Sequence, residues 1–172
     1  MRTLLTGAKG QLARCLRDRL PEDWELIATD STSLDITDTE AVHHMIKNFQ
    51  PDAIVNAAAY TAVDKEENAE TAFAVNATAV HNLAAAARAA HARFIHIFTD
   101  YVFDGEGKRP YRETDYTNPR STYGQSKVAG ELLALADWRG EARGLNIEKQ
   151  EWENMTARIL YGKEFAQRIK ED

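Results

Sequence analysis

The chain has 172 residues, of which 44% are hydrophobic and 28% charged, with a formal charge of −6 and a single cysteine. That is enough for one compact domain with a buried core. The negative balance argues against a nucleic-acid partner, no apolar run reaches the length of a membrane span, and one cysteine excludes an internal disulfide and suits a reducing cytoplasm.

Arg2–Thr6 is a short apolar run closed by a glycine turn, and it reads as a buried strand that leaves no room for a signal peptide. Gly10–Leu20 carries helical spacing at Leu12, Cys15 and Leu16 and stops before Pro21. Trp24–Thr29 is a second strand, ending at Asp30. Asp38 is placed to cap a helix running to Phe49, with Glu40 in its first turn. Pro51 breaks the chain and Ala53–Asn56 forms a third strand. Residues 57–70 read as a loop with a short helix around Asp64–Ala69. Thr71–His91 is Ala-rich and reads as one long helix, Arg93–Phe98 as a fourth strand, residues 99–120 as a polar loop, and Ser121–Leu135 as a helix.

Strand and helix alternate from residue 2 to about 136. The predicted fold class is therefore α/β: a Rossmann-like, doubly wound parallel sheet with helices on both faces. Ligands of such sheets bind beyond the carboxyl ends of the strands, where strand order reverses. The tail differs in kind. Asp137–Gly144 is a polar, glycine-broken linker, and Ile147–Ile169 reads as one amphipathic helix with Trp152, Met155, Ile159 and Ala166 on a face. The domain is expected to occupy 1–136 in a truncated form of the fold, and the tail 137–172.

Thr6-Gly7-Ala8-Lys9-Gly10-Gln11-Leu12-Ala13 follows the first strand directly. Gly7 can take the positive φ of a tight turn, Gly10 lets backbone approach a pyrophosphate, and the helix beginning there aims unpaired N–H groups at phosphate. Asp30 ends the second strand about 20 residues later, where a carboxylate can bind a ribose 2′-OH. It disfavours a 2′-phosphate, with Lys9 as a partial counterweight. A solvated turn residue is the plainer reading of Asp30.

Tyr123 and Lys127 lie four apart on a helix and so share a face. An ammonium one turn from a phenol stabilises the phenolate, which suits a proton donor. Thr99 follows the fourth strand, where its hydroxyl either holds a carbonyl oxygen or caps the next turn. The five histidines read as structural or exposed, and no spacing suggests a metal site.

These residues resemble the extended short-chain dehydrogenase/reductases, and within them the dTDP-4-dehydrorhamnose reductases. The resemblance rests on Leu4–Leu12, Pro51–Lys65, Thr99–Gly105, Tyr111–Asp115 and Tyr123–Glu131. It implies NADPH or NADH as cofactor and reduction of the 4-keto group of a dTDP-deoxyhexulose. Tyr123 would be the proton donor, Lys127 its activator and ribose ligand, and Thr99 the carbonyl-oxygen partner, with Asp100 near the sugar nucleotide. Gly7, Gly10, Gln11 and Leu12 would contact the pyrophosphate, while Asp30, Asp35 and Ile36 would frame the adenosine and Ala57, Ala58 and Ala59 would line the nicotinamide side. Three departures stand out. Phe98 replaces a serine of the family pattern, Ala13 replaces its third glycine, and the resemblance ends near Ala136, before the region that holds the sugar nucleotide. Two other readings compete: a cofactor-binding regulatory module that docks on a partner, and an inactive remnant. An exposed sheet edge and an apolar helix face point to a homodimer.

Overall fold

In the computed structural model, residues 1–61, 68–112 and 115–139 are described, the last three as helix backbone only. The elements are β1 (Arg2–Thr6), α1 (Gln11–Arg17), β2 (Glu25–Thr29), α2 (Thr39–Phe49), β3 (Ala53–Asn56), α3 (Ala69–Phe73), a π-helical turn (Ala74–Thr78), α4 (Ala79–Ala89), β4 (Arg93–His96), a 3-10 turn (Asp100–Val102) and α5 (Thr122–Arg139). All four strands are parallel, in the order β2-β1-β3-β4. The alternating α/β pattern dictates this, because a parallel neighbour is reached only through a crossover. The order reverses between β1 and β3, which opens a crevice at the carboxyl ends of those strands.

Alternation along the strands sorts the faces. Leu4, Ile54 and Phe94 meet the buried stripe of α2 (Val42, Ile46, Phe49) and Leu83 and Ala87 of α4. The next residue in each strand faces the other way: Leu5 is covered, Val55 half-buried and Ile95 exposed. One face thus carries most of the helices, and the first crossover, through α1, covers only part of the other. Asp38 caps α2 by accepting from Ala41 N at 3.0 Å, as its position predicts.

Four elements differ from the sequence reading. The long helix over Thr71–His91 is three pieces, α3, the π turn and α4. α1 ends at Arg17, earlier than Leu20, and β4 ends at His96, two residues before Phe98. The helix expected to end at Leu135 runs on as α5 to Arg139, over the first three residues of the expected linker; most of the short helix expected around Asp64–Ala69, the rest of the linker and the amphipathic tail helix lie outside the described residues. Among the described residues no helix is long and apolar enough to cross a membrane.

Candidate functional site

The carboxyl ends of the strands gather the residues singled out above. Gly7 turns the chain after β1 with φ +75°, and a Cβ there would stand 2.6 Å from Ala58 N and 2.7 Å from the Ala57 carbonyl. Both the conformation and the closeness of the 57–58 backbone demand glycine. Gly10 precedes α1 in extended conformation and has no side chain to cap it, so the first-turn amides at Gln11 and Leu12 are left for an anion. Gln11 and Leu12 are exposed, whereas Ala13 is fully buried. A larger residue at 13 would lift the helix off the sheet, so alanine serves there as the family's glycine does.

Asp30 closes β2 and folds its own turn. Its Oδ1 accepts from Thr32 N (2.9 Å), Thr32 Oγ1 (2.6 Å) and Ser33 N (3.1 Å), while Oδ2 meets Lys9 Nζ at 2.7 Å. The Lys9 ammonium, followed by the Thr32 bonds, holds this carboxyl far below the usual range. Asp35 is exposed and accepts from Thr37 N and Oγ1, which lowers its pKa. Ile36 is only 6% exposed and packs in the core, so its side chain supports the rim from beneath and leaves only its backbone for a ligand.

After β3, Ala57 and Ala58 are half-buried and Ala59 exposed. Two buried asparagines shape this segment. Asn56 Oδ1 accepts from Thr6 Oγ1 (2.6 Å) and Ala58 N (3.2 Å). Asn76, in the π turn, accepts from Tyr60 N (2.8 Å) and donates to Tyr60 O (2.9 Å) and Ser126 Oγ (3.0 Å). Ser126 in turn donates to Tyr123 O. The loop beyond β3 is thereby clamped to α5, which carries Tyr123 and Lys127. The wide π turn exists where α5 crosses it, and such turns recur at functional sites.

On the β4 side, Thr99 caps the 3-10 turn: its hydroxyl accepts from Tyr101 N and donates to Asp100 Oδ1, each at 3.3 Å. This is the plainer of its two expected roles, although both bonds are long. Asp100 is exposed. Phe98 is 38% exposed. Tyr123 is half-buried and meets Tyr101 edge to face, with ring centroids 5.7 Å apart. Lys127 is 2% exposed. Its Nζ donates to Ile97 O at 2.7 Å and lies 3.1 Å from His96 Nε2, whose Nδ1 is 3.1 Å from Asn56 Nδ2. Burial lowers the Lys127 pKa to about 8, with Glu131 opposing, and burial followed by the Lys127 charge lowers His96 to about 3.

The loop before α5 is tied by two carboxylates. Asp104 accepts from Tyr111 Oη, Asn118 Nδ2 and Glu106 N, and Arg109 grips Asp115 through both guanidinium ends at 2.7 Å. Both carboxyls are held down at about 2, by Asn118 and by Arg109 first. Sequence reasoning missed Asn56, Asn76, His96 and Ser126. The usable signal was polarity out of place: an asparagine ending an apolar strand, and another inside an alanine-rich helix. Among the described residues, no group of three or more His, Cys, Asp or Glu could hold a metal ion.

Comparison with known proteins places this arrangement. The family model described as RmlD substrate binding domain matches residues 1–141. The dTDP-4-dehydrorhamnose reductase of Aggregatibacter actinomycetemcomitans is 44% identical over 137 residues, covering 78% of this chain and 47% of that protein. Among solved structures, a dTDP-4-dehydrorhamnose reductase from Clostridium acetobutylicum superimposes with a TM-score of 0.77 at 46% identity, over 79% of this chain and 49% of that one. The Bacillus anthracis dTDP-4-dehydrorhamnose reductase in complex with NADP gives 0.76 at 36% identity, over 78% and 48%. The chain spans about half the length of the curated relatives it matches.

Proposed function

The chain belongs to the RmlD substrate binding domain family, and on that premise we propose that it is the cofactor-binding part of an NADPH- or NADH-dependent reductase acting on the 4-keto group of a dTDP-deoxyhexulose. One observation carries the reading: the glycine turn after β1 and the Tyr123/Lys127 helix converge on the crevice where strand order reverses, and buried hydrogen bonds lock the intervening loop to that helix. The fit to a dinucleotide is physical. Gly7 leaves no space for a side chain, and the uncapped start of α1 offers amides to a diphosphate. Asp30 is placed for the adenosine ribose, with Asp35 and Ile36 shaping that end of the rim. Asp30 is already half neutralised by Lys9, which tempers its preference against a 2′-phosphate and supports use of either nucleotide.

When bound, the nicotinamide supplies hydride. The protein's residues do the rest. Ala57, Ala58 and Ala59 present small side chains to the nicotinamide side of the crevice. Tyr123 holds the proton that the new alkoxide needs, Lys127 donates to the ribose and steadies the phenolate, and Thr99 donates to the sugar carbonyl, with Asp100 near the sugar nucleotide.

Melting curves with NADPH and NADH test the cofactor site. A nucleotide at a hundredfold its Kd is expected to add about 2.7 kcal/mol of stability, and Tyr123→Phe is expected to keep that shift while losing ketosugar-dependent oxidation of NADPH. Curves that neither nucleotide moves would sink the reading. A second reading, a cofactor-binding module docked on another protein, is favoured by exposed Ile95, Phe98 and Leu135 beside β4. Nucleotide binding without turnover, together with a stable complex, would single it out.

A further inference from the structure

The hydrogen bonds around His96 can be assigned donor by donor. Ala58 N is a backbone amide and can only donate, and it does so to Asn56 Oδ1 at 3.2 Å. Thr6 Oγ1 reaches the same oxygen at 2.6 Å. These two fix the Asn56 amide, whose NH2 end therefore faces His96 Nδ1 at 3.1 Å. Turning that amide over would set its NH2 against the Ala58 N–H, inside a side chain that is 0% exposed. Nδ1 of His96 is consequently an acceptor. A neutral imidazole that accepts at Nδ1 carries its proton on Nε2, and Nε2 lies 3.1 Å from Lys127 Nζ.

An Nε2–H facing Lys127 accepts nothing from an ammonium. It can only donate to the lone pair of a neutral amine, while the amine keeps its own bond to Ile97 O at 2.7 Å. The ammonium form keeps Ile97 O as well but must send its other two N–H groups elsewhere.

We infer that His96 is a positioning residue for Lys127: fixed as the Nε2–H tautomer by Asn56, it holds the neutral amine and denies the ammonium an acceptor, so the ammonium's remaining donors are kept for a ligand in the crevice. The consequence for turnover rests on the reductase reading above. The tautomer itself rests only on the four side chains and the Ala58 amide.

The surroundings agree. Lys127 is held near pKa 8 and His96 near 3, both displaced toward their neutral forms mainly by burial. On α5 itself the titratable neighbours of Lys127 are Tyr123 and Glu131, and only Glu131 pulls toward the charged form. α4, which packs on α5, carries His81 and Arg88, the 3-10 turn brings Asp100 and Tyr101, and β4 brings His96. Glu131 acts on the Lys127 charge, and the Lys127 charge in turn acts on His96.

Nitrogen-15 shifts of His96 and a titration of the Lys127 side chain, both by NMR on the whole chain, decide it. His96 is expected to stay neutral and Nε2-protonated from pH 6 to 9, with Lys127 titrating near 8. In His96→Gln, whose carbonyl can accept from an ammonium, the Lys127 midpoint is expected to rise toward the ordinary value of 10.5. NADPH is expected to raise it in the unaltered chain, because the ligand supplies acceptors. An Nδ1-protonated or doubly protonated His96 overturns the inference, as does a Lys127 midpoint unmoved in His96→Gln. Should that variant fail to fold, the tautomer of the unaltered chain still decides. Tautomer and midpoint as expected in a chain that NADPH neither shifts nor stabilises would leave His96's role standing and sink the reductase reading instead.

Discussion

Burying Lys127 costs stability because the unfolded chain holds the proton more tightly than the folded one. Its pKa falls from 10.5 to about 8 on folding, a difference of about 3 kcal/mol. The sign follows directly. Below about 8 both states are protonated and the full cost is present; between about 8 and 10.5 only the unfolded chain keeps the proton, so stability from this group rises with pH. Lys127→Met removes the charge but orphans the Ile97 carbonyl, which offsets about 1–2 kcal/mol. Denaturant titration is therefore expected to find Lys127→Met more stable by about 1–2 kcal/mol at pH 7, with the advantage gone by pH 10 and turnover lost throughout. A variant that is less stable at pH 7 would mean that the lysine is paired better than its surroundings suggest. Such a residue explains what sequence could and could not show. The spacing of Tyr123 and Lys127 marks a shared helix face, and Gly7 marks a turn. The His96 ring that faces Lys127 comes from a strand, 31 residues away, and no local pattern encodes that meeting.

At the scale of elements, the strands and α2 were legible because their signals are local: apolar runs, Pro51, and the Asp38 cap that the structure confirms. The break in the Thr71–His91 helix was not. Alanine-rich sequence favours uninterrupted helix, and the π turn at Ala74–Thr78 answers instead to tertiary demands on Asn76, whose side chain binds Tyr60 and Ser126. Gly130 of α5 sits on this turn, and a Cβ there would fall onto the Asn76 carbonyl oxygen. Gly124, in the first turn of α5, is likewise pressed against the Tyr101 carbonyl. The helix propensity that alanine adds, about 1 kcal/mol, is outweighed by overpacking against backbone, typically about 1–3 kcal/mol. Gly130→Ala is thus expected to lower thermal stability and to weaken NADPH binding together, since the same turn clamps the nicotinamide-side loop. Unchanged melting would show that α5 can shift without disturbing the site. Thr99 shows a different limit: its position after β4 was readable, but its hydroxyl is spent on capping the 3-10 turn, and only substrate could draw it away.

At the scale of the whole molecule, the sheet of the described residues is finished unevenly. The face carrying Leu4, Ile54 and Phe94 is sealed by α2 and α4, whereas the other face grows barer toward β4, where Ile95 is 49% exposed. Among the described residues β4 is also the edge strand, with no strand paired on its outer side, and Phe98 and Leu135 lie exposed nearby at 38% and 46%. Unpaired strand edges flanked by apolar side chains associate readily, and a charge on the strand opposes it. We expect the chain to form dimers in a concentration-dependent manner through this border, as its sheet edge suggested from sequence. Ile95→Lys replaces a side chain that faces away from Phe94 and His96, so the Asn56–His96–Lys127 contacts and the NADPH-dependent rise in melting temperature are expected to persist. Sedimentation velocity is expected to show at least a tenfold weaker dimer, equivalent to about 1.4 kcal/mol, the order of burying one aliphatic side chain. A chain that stays monomeric at every concentration, or a dimer indifferent to lysine at 95, would place the association surface elsewhere or remove it.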